Sequence, residues 1–434
     1  MNQRDLSFYE PVVRSAAFTP LEHPKRTEPR NRKRRKRRAP VRGDKARTPS
    51  GNSLHELGHN RRPYGVRGQA QRNPALVARP EGAAHAKAPS PLRSAGALHR
   101  VLRAAWFIPL VVLAWDYDGH RLVNELALLT LPKDFPQFVH SPSAKERIVF
   151  LSGEPDRWRN SQDLPFRHAS SPDHFLDLEE LTDYGLTAST VSHFRYEFTG
   201  QLAAGRAGSA RKFPASDPAK DPARTRSLIG FLPWTITESY SKLKSAFSYW
   251  RVYEELGTSE EIENARQNVL YLMGVMGHFV GDAAQPLHTT KHFNGWVGRN
   301  PQGYTTNRTF HSWIDGGFFQ KAGLDRASEL RARLRPAQLF GKAEASAKPE
   351  NIFPEVMNFI LEQHQLVEPL YRLEKEGQLS GDGKIGLEGG EFLRGQVIKA
   401  GQMLGDLWYS AWKQAGPDTY LREHLLRRGR GKGN

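Results

Sequence analysis

Near the middle of the chain, "HFVGDAAQPLH" places His278, Asp282 and His288 at offsets 0, +4 and +10, with Pro286 between the last two. On a helix, residues four apart stand one above the other on one face, so His278 and Asp282 can reach a single cation. Pro286 ends such a helix and leaves His288 in the following turn. Downstream, "FHSWIDGGF" repeats the pairing with His311 and Asp315. One i, i+4 His/Asp pair is more often a surface hydrogen bond. Two pairs flanking a further His point instead to bound cations. The chain has no Cys, so every donor is N or O, a set that suits zinc in an oxygen-rich hydrolytic site.

Further candidates lie upstream. "WDYDGH" holds Trp115 and His120, "GEPDRWR" holds Asp156 and Arg159, and "SPDHFLDLEE" holds His174, Phe175 and Asp177. Each has an ordinary explanation beside the chemical one. Asp156 after Pro155 can be a helix cap, His174 a core imidazole, Phe175 a core aromatic and Trp115 an exposed residue. Spacing alone leaves these alternatives open.

The elements that must position these residues read as helices. "DGHRLVNELALLTL" (118–131) has apolar residues at helical spacing and stops at Pro132. The pattern resumes over 235–256. Thr258 with Glu261 makes a capping box ahead of the segment that carries His278 and Asp282. Two more helices are expected at 354–376 and 390–414, and residues 200–226, rich in Gly, Ala, Arg and Pro, read as an exposed loop. No strand alternation or internal repeat is evident, so the expected class is all-α with a single multi-helix domain.

Charge is unevenly distributed. The chain carries 63 Lys+Arg and 46 Asp+Glu, but residues 1–114 hold 24 of the former and 7 of the latter. The remainder has 39 of each and is neutral, so the net charge of +17 does not make the domain a nucleic-acid binder by its global field. Residues 1–91, with "RNRKRRKRR" at 30–38, are expected to form a disordered basic leader, which a mis-assigned start would also explain. Residues 92–114 end in "AAWFIPLVVLA", too short to span a bilayer, and read as a signal peptide cleaved before Trp115. The domain then runs over 115–426 with a basic tail at 427–434. Secretion or periplasmic export follows, with no membrane span in the mature chain.

Taken together, the ordered series Trp, His, Asp, His, His-x3-Asp, His, His-x3-Asp and the segment "GDAAQPLH" resemble the zinc-dependent phospholipase C and single-strand nuclease family, the S-one/P-one type nucleases among them. The resemblance spans roughly 115–315. It implies an all-α fold with three Zn2+ ions in a cleft. One ion would take Asp156, His174, His278 and Asp282. A second would take Asp282 as a bridge, His120, and the terminal amine and carbonyl of Trp115, which cleavage before Trp115 would create as a ligand. A third would take His288, His311 and Asp315. The resemblance also assigns Asp156 and Arg159 to catalysis, with Arg159 clamping phosphoryl charge, and Phe175 and Asp177 to base binding. The expected activity is hydrolysis of single-stranded DNA or RNA to 5′-phosphate products, with 3′-nucleotidase activity as a further expectation and no stable protein partner. A phospholipase C is the alternative, and a non-catalytic metal-binding protein a third reading. The short gap from Trp115 to His120 and the final Asp315 favour the nuclease. Gly316, where many of the nucleases have Asn, and His292, expected outside the metal shell, leave the base pocket open.

Overall fold

Thr258 and Glu261 exchange hydrogen bonds at the head of the helix that carries the first His/Asp pair. The Thr258 hydroxyl accepts from the Glu261 amide at 3.3 Å, and the Glu261 carboxylate accepts from the Thr258 amide at 2.9 Å. A computed structural model describes residues 117–208, 213, 217–324, 326–340, 351–380 and 386–430. The basic leader, the apolar run read as a signal peptide, and Trp115 lie outside the described residues.

The described residues are helical, with no strand among them and one isolated antiparallel bridge between Leu176 and Gly230. In order, the first helices are α1 (Tyr117–Thr130), α2 (Pro142–Leu151), α3 (Glu154–Arg159), α4 (Leu164–Ser170), α5 (Arg195–Gly208), α6 (Leu232–Leu256) and α7 (Ser259–Ala284). Three short pieces follow, α8 (Phe310–Ser312), α9 (Phe319–Lys321) and α10 (Ala327–Leu330). The chain then forms α11 (Phe353–His364), α12 (Val367–Lys375), α13 (Leu387–Gln414) and α14 (Thr419–Arg430). The all-α expectation holds.

Three boundaries differ from those read in the sequence. The segment expected as one helix over 354–376 is broken between His364 and Val367. A helix over 195–208 takes in the first part, 200–208, of the stretch expected as a loop. Phe198 on that helix is fully buried and stacks on Trp234 at 3.9 Å, so tertiary packing overrides a Gly-rich local composition. Helix α14 runs through Arg430, and Arg428 pairs with Glu261 at 2.5 Å, which ties the start of the basic tail to α7.

Helix α7 sits at the centre, packed against α6, α2, α13 and α1. Every residue from Met273 to Ala284 is buried, so this stretch presents no solvent face. A helix enclosed this way must be lined by small residues where neighbours cross it. At Gly281, a Cβ would stand 2.8 Å from the His120 ring nitrogen Nδ1, so glycine there is what lets His120 of α1 lie against α7. Asn124, one turn further along α1, donates its amide to the carbonyls of Ile148 and Gly274 and so locks α1 to both α2 and α7.

A second close approach holds the segment that carries His174. Gly230 has φ +97°, and a Cβ there would meet the Phe175 carbonyl oxygen at 1.9 Å. Glycine therefore permits both the left-handed backbone and the bridge to Leu176. Gly230→Ala is expected to lose about 2–4 kcal/mol of unfolding free energy. Gly185→Ala, at φ +72° with open space around it, should lose only about 1 kcal/mol. Urea denaturation of the two variants checks this, and equal losses would mean the Phe175 contact is unimportant.

Candidate metal centre

Eight of the nine residues expected as ligands fall within the described residues, and the fold gathers all eight into three groups. His120, His278 and Asp282 form one, Asp156, His174 and His278 a second, and His288, His311 and Asp315 a third, each with ligand atoms within 4.8 Å of one another. They come from far apart in the chain. His120 comes from α1, Asp156 from the first turn of α3, His174 from the 3-10 turn after α4, and His278 and Asp282 from α7. His288 follows in a short turn that Pro286 opens, as its sequence suggested. Their relative exposures lie between 0% and 8%. Polar side chains this deep need partners.

Asp282 links the groups. Its Oδ2 lies 2.9 Å from His174 Nδ1 and 3.3 Å from His278 Nε2, while its Oδ1 lies 3.6 Å from both His120 Nε2 and His288 Nδ1. The two carboxylate oxygens thus face different imidazoles, the arrangement a bridging ligand requires. Burial alone would raise the Asp282 pKa, but the charges of His288 and His278 and the bonds from His174 and His278 outweigh it and hold the carboxyl well below its usual value. His278 responds in the opposite sense. Burial disfavours its charged form, yet Asp282 and Asp156 raise its pKa above the ordinary value. His174 and His288 are both pushed down to about 4, chiefly by burial. His120 is also lowered well below its ordinary value by burial and then by His278.

Backbone carbonyls set the direction of two rings. The Ser152 carbonyl accepts from His278 Nδ1 at 2.7 Å, and the His174 carbonyl accepts from His288 Nδ1 at 2.6 Å. A carbonyl can only accept, so each neutral ring carries its proton on Nδ1 and turns the Nε2 lone pair inward. Gln285, at the end of α7, donates its side-chain amide to Asp315 Oδ1 at 2.5 Å. Gln285 lies inside the quoted "HFVGDAAQPLH" stretch and its role could have been suspected there. A carbonyl such as that of Ser152 carries no signal in the residue type.

The donor spacing fits a small cation. His174 Nδ1 and His278 Nε2 are 3.0 Å apart, His288 Nε2 and His311 Nε2 3.1 Å, and His311 Nε2 and Asp315 Oδ2 2.8 Å. Ligands bound at ~2.0–2.1 Å around a tetrahedral zinc stand about 3.3 Å from one another. His120 Nε2, which faces Asp282 Oδ1 at 3.6 Å, is buried without a hydrogen-bond partner, which coordination would explain. His311 and Asp315 depart from the expected geometry in one respect. Asp315 sits in a π-helical turn, Trp313–Phe318, rather than in a regular α-helix. Such wide turns often occur at functional sites.

Arg159 Nε lies 2.6 Å from Asp156 Oδ1, and its charge lowers His174 after burial. Phe175 is half-buried, and its carbonyl and ring edge occupy the space that a Cβ on Gly230 would need. Asp177 is buried at the start of the next 3-10 turn, where burial and then Glu180 and Glu179 push its pKa well up. His292 joins none of the three groups. It accepts from the Val297 amide at 3.0 Å and stacks on Trp296 at 4.0 Å. Trp115 lies outside the described residues. A recess of 390 Å³ opens against Asp156, lined by Tyr117, Phe150, Gly153, Arg157 and Asn160.

No known family model matches the chain, and no curated protein matches it in sequence. Among solved structures, the alpha-toxin of an avian strain of Clostridium perfringens is similar at 14% identity with a TM-score of 0.32, over 70% of this chain and 66% of the toxin chain. The chain thus spans about 66% of the length of that relative. The likeness is too distant to transfer an activity. The site rests on its own geometry.

Metal uptake should be pH-dependent through His278. Its raised pKa means that its proton must leave before a cation can bind, while His174 and His288, at about 4, are already neutral. Affinity is therefore expected to fall about tenfold for each unit of pH from the ordinary histidine value, about 6.5, down toward 5. Zinc titrations at several pH values check this, and a flat profile over that range would contradict it. Asp282→Ala is expected to lose more than one equivalent of bound metal by elemental analysis, whereas His292→Ala should retain all of it. Equal metal contents in the two variants would remove Asp282 from the bridging position.

Proposed function

We propose that this protein is an exported, zinc-dependent phosphodiesterase that hydrolyses single-stranded nucleic acid to 5′-phosphate products. The observation that carries the reading is the convergence of eight nitrogen and oxygen donors, none more than 8% exposed, with an arginine placed beside them. Three buried groups suited to cations are more than a structural metal requires, and no cysteine is present to serve as a nucleophile. When bound, such cations acidify a shared water and neutralise charge on a phosphoryl group.

The chain's own residues supply the rest. Asp282 and Asp156 hold negative charge where cations must sit, and the carbonyls of Ser152 and His174 keep the His278 and His288 rings turned inward. Asp156 fixes Arg159 through Nε, so the guanidinium stands next to the donor set, where it can bind phosphoryl oxygens as charge builds on them. With 39 charges of each sign over residues 115–434, the domain has no broad field to draw a polyanion. Attraction must come from the centre itself.

A phospholipid headgroup is the second substrate reading. Exposed Phe150 on α2 and exposed Leu164 and Phe166 on α4 are apolar side chains that could meet a lipid surface. Among the described residues no helix is long and apolar enough to cross a membrane.

Activity on single-stranded DNA is expected to disappear with chelator, to return with zinc, and to fall less than about tenfold between 50 and 200 mM salt, against the 10³–10⁵-fold loss of a binder that relies on many phosphate contacts. Assays of single-stranded DNA and phosphatidylcholine side by side decide the substrate. Cleavage of the lipid alone would replace the nuclease reading, and chelator-resistant activity would refute the metal.

A further inference from the structure

The recess beside Asp156 has no part in holding metal beyond that one residue. We propose that it is a subsite for a nucleobase next to the scissile phosphodiester, an inference that rests on the phosphodiesterase reading and extends it. Its volume, 390 Å³, lies within the range of small-molecule sites. Two aromatic side chains form part of its wall, and both are exposed, 39% at Tyr117 and 43% at Phe150. Solvated aromatic faces beside a buried polar centre are stacking platforms.

The recess is kept open by sequence. Gly153, in the turn between α2 and α3, lies under Tyr117, and a Cβ there would meet the ring at 2.5 Å. Any larger residue would push the ring from its present place in the wall. Asn160 donates its amide to the Asp156 carbonyl at 2.8 Å. That bond fixes the side chain next to a metal-ligand candidate and retains an amide oxygen and a second N–H that can meet the polar edge of a base. Asp156 belongs both to the donor group and to the recess wall. A phosphodiester engaged at the donors therefore has its neighbouring group at the mouth of the recess.

The arginines on the two rings narrow the choice of occupant. The Arg157 guanidinium lies 5.1 Å from the Phe150 ring centre and Arg121 lies 5.4 Å from that of Tyr117. Aromatic walls of this kind could otherwise attract a quaternary ammonium headgroup. Here each ring already carries an arginine that is itself paired with a carboxylate, Arg121 with Glu146 at 3.1 Å and Arg157 with Glu154 at 2.5 Å, so the cation site on each ring is taken and these walls add no net charge of their own. A neutral base is the occupant such walls suit. The subsite is distinct from Phe175 and Asp177, which lie on a separate segment after α4.

The test uses the zinc-loaded protein with two thymidine dinucleotides, one intact and one in which a tetrahydrofuran spacer replaces the base. Hydrolysis is followed as kcat/KM, and binding as Kd for the uncleavable methylphosphonate forms. Stacking on an aromatic is worth about 1–3 kcal/mol per base, so the wild type is expected to prefer the intact dinucleotide at least tenfold. Phe150→Ala and Gly153→Ala should cut that preference below about threefold, by raising KM and Kd for the intact form while leaving the abasic form and the metal content unchanged. Phe150 is substantially exposed, so its variant carries the test should Gly153→Ala fail to fold. If neither dinucleotide is cleaved but binding keeps its base- and recess-dependent preference, the phosphodiesterase reading falls and the subsite stands. Equal binding of intact and abasic forms, or a preference that survives both substitutions, would overturn the subsite.

Discussion

A buried carboxylate is the constraint around which this fold is arranged. Asp282 is fully enclosed, yet its surroundings hold it ionised rather than neutral. Charge without water must be met by other charge or by hydrogen bonds, because leaving it alone costs far more than a domain's net stability. Four imidazoles approach it within 3.6 Å. One comes from its own helix, one from α1, one from the turn after α4 and one from the turn after α7. Satisfying one side chain thus fixes the mutual placement of helices and turns from across the domain.

That placement sets packing rules elsewhere. His120 reaches the centre only because Gly281 offers no Cβ, and α1 keeps its height against α7 through Asn124. The two irregular segments that carry His174 and His288 are joined where the Leu176 amide donates to the His288 carbonyl, and the first is tied to the stretch before α6 where the Asp177 amide donates to the Ile229 carbonyl. Arg195 reinforces the first of them. It bonds Asp173 at 2.7 Å, Glu238 at 2.8 Å and Thr235 at 2.8 Å, anchoring the residue before His174 to α6. Loops that carry ligands are normally the most mobile part of a fold. Here they are held by bonds that leave the imidazoles little freedom.

Much of this was legible where the relevant physics is local. The capping box before α7, the i, i+4 spacing of His278 and Asp282, and the stop at Pro286 each depend on residues within a turn or two. The π-helical turn under His311 and Asp315 was not legible, because its extra residue per turn is set by neighbours such as Leu379, whose carbonyl accepts from the Trp313 indole. The helix over 195–208 was hidden for the same reason, since Phe198 finds Trp234 only in the folded chain. Tyr117, Phe150 and Gly153 could not be associated before the fold, being ordinary residues spread over three elements. The grouping of His120, Asp156 and His174 with the later pairs followed from resemblance rather than spacing.

The composition of the centre has a consequence for what it attracts. Its described donors include three carboxylates and five imidazoles, and an imidazole that ligates a metal does so neutral. Three divalent cations would therefore exceed the ligand charge, leaving the centre positive within a domain whose charges otherwise cancel. Buried in a low-dielectric interior, such an excess is screened far less than surface charge. A phosphodiester is a compact anion that can offset it, and the aromatic rim near Asp156 adds attraction that depends little on salt. Neutrality outside and positive charge within favour a substrate that must deliver one phosphate to one point, not a duplex spread over a broad basic face.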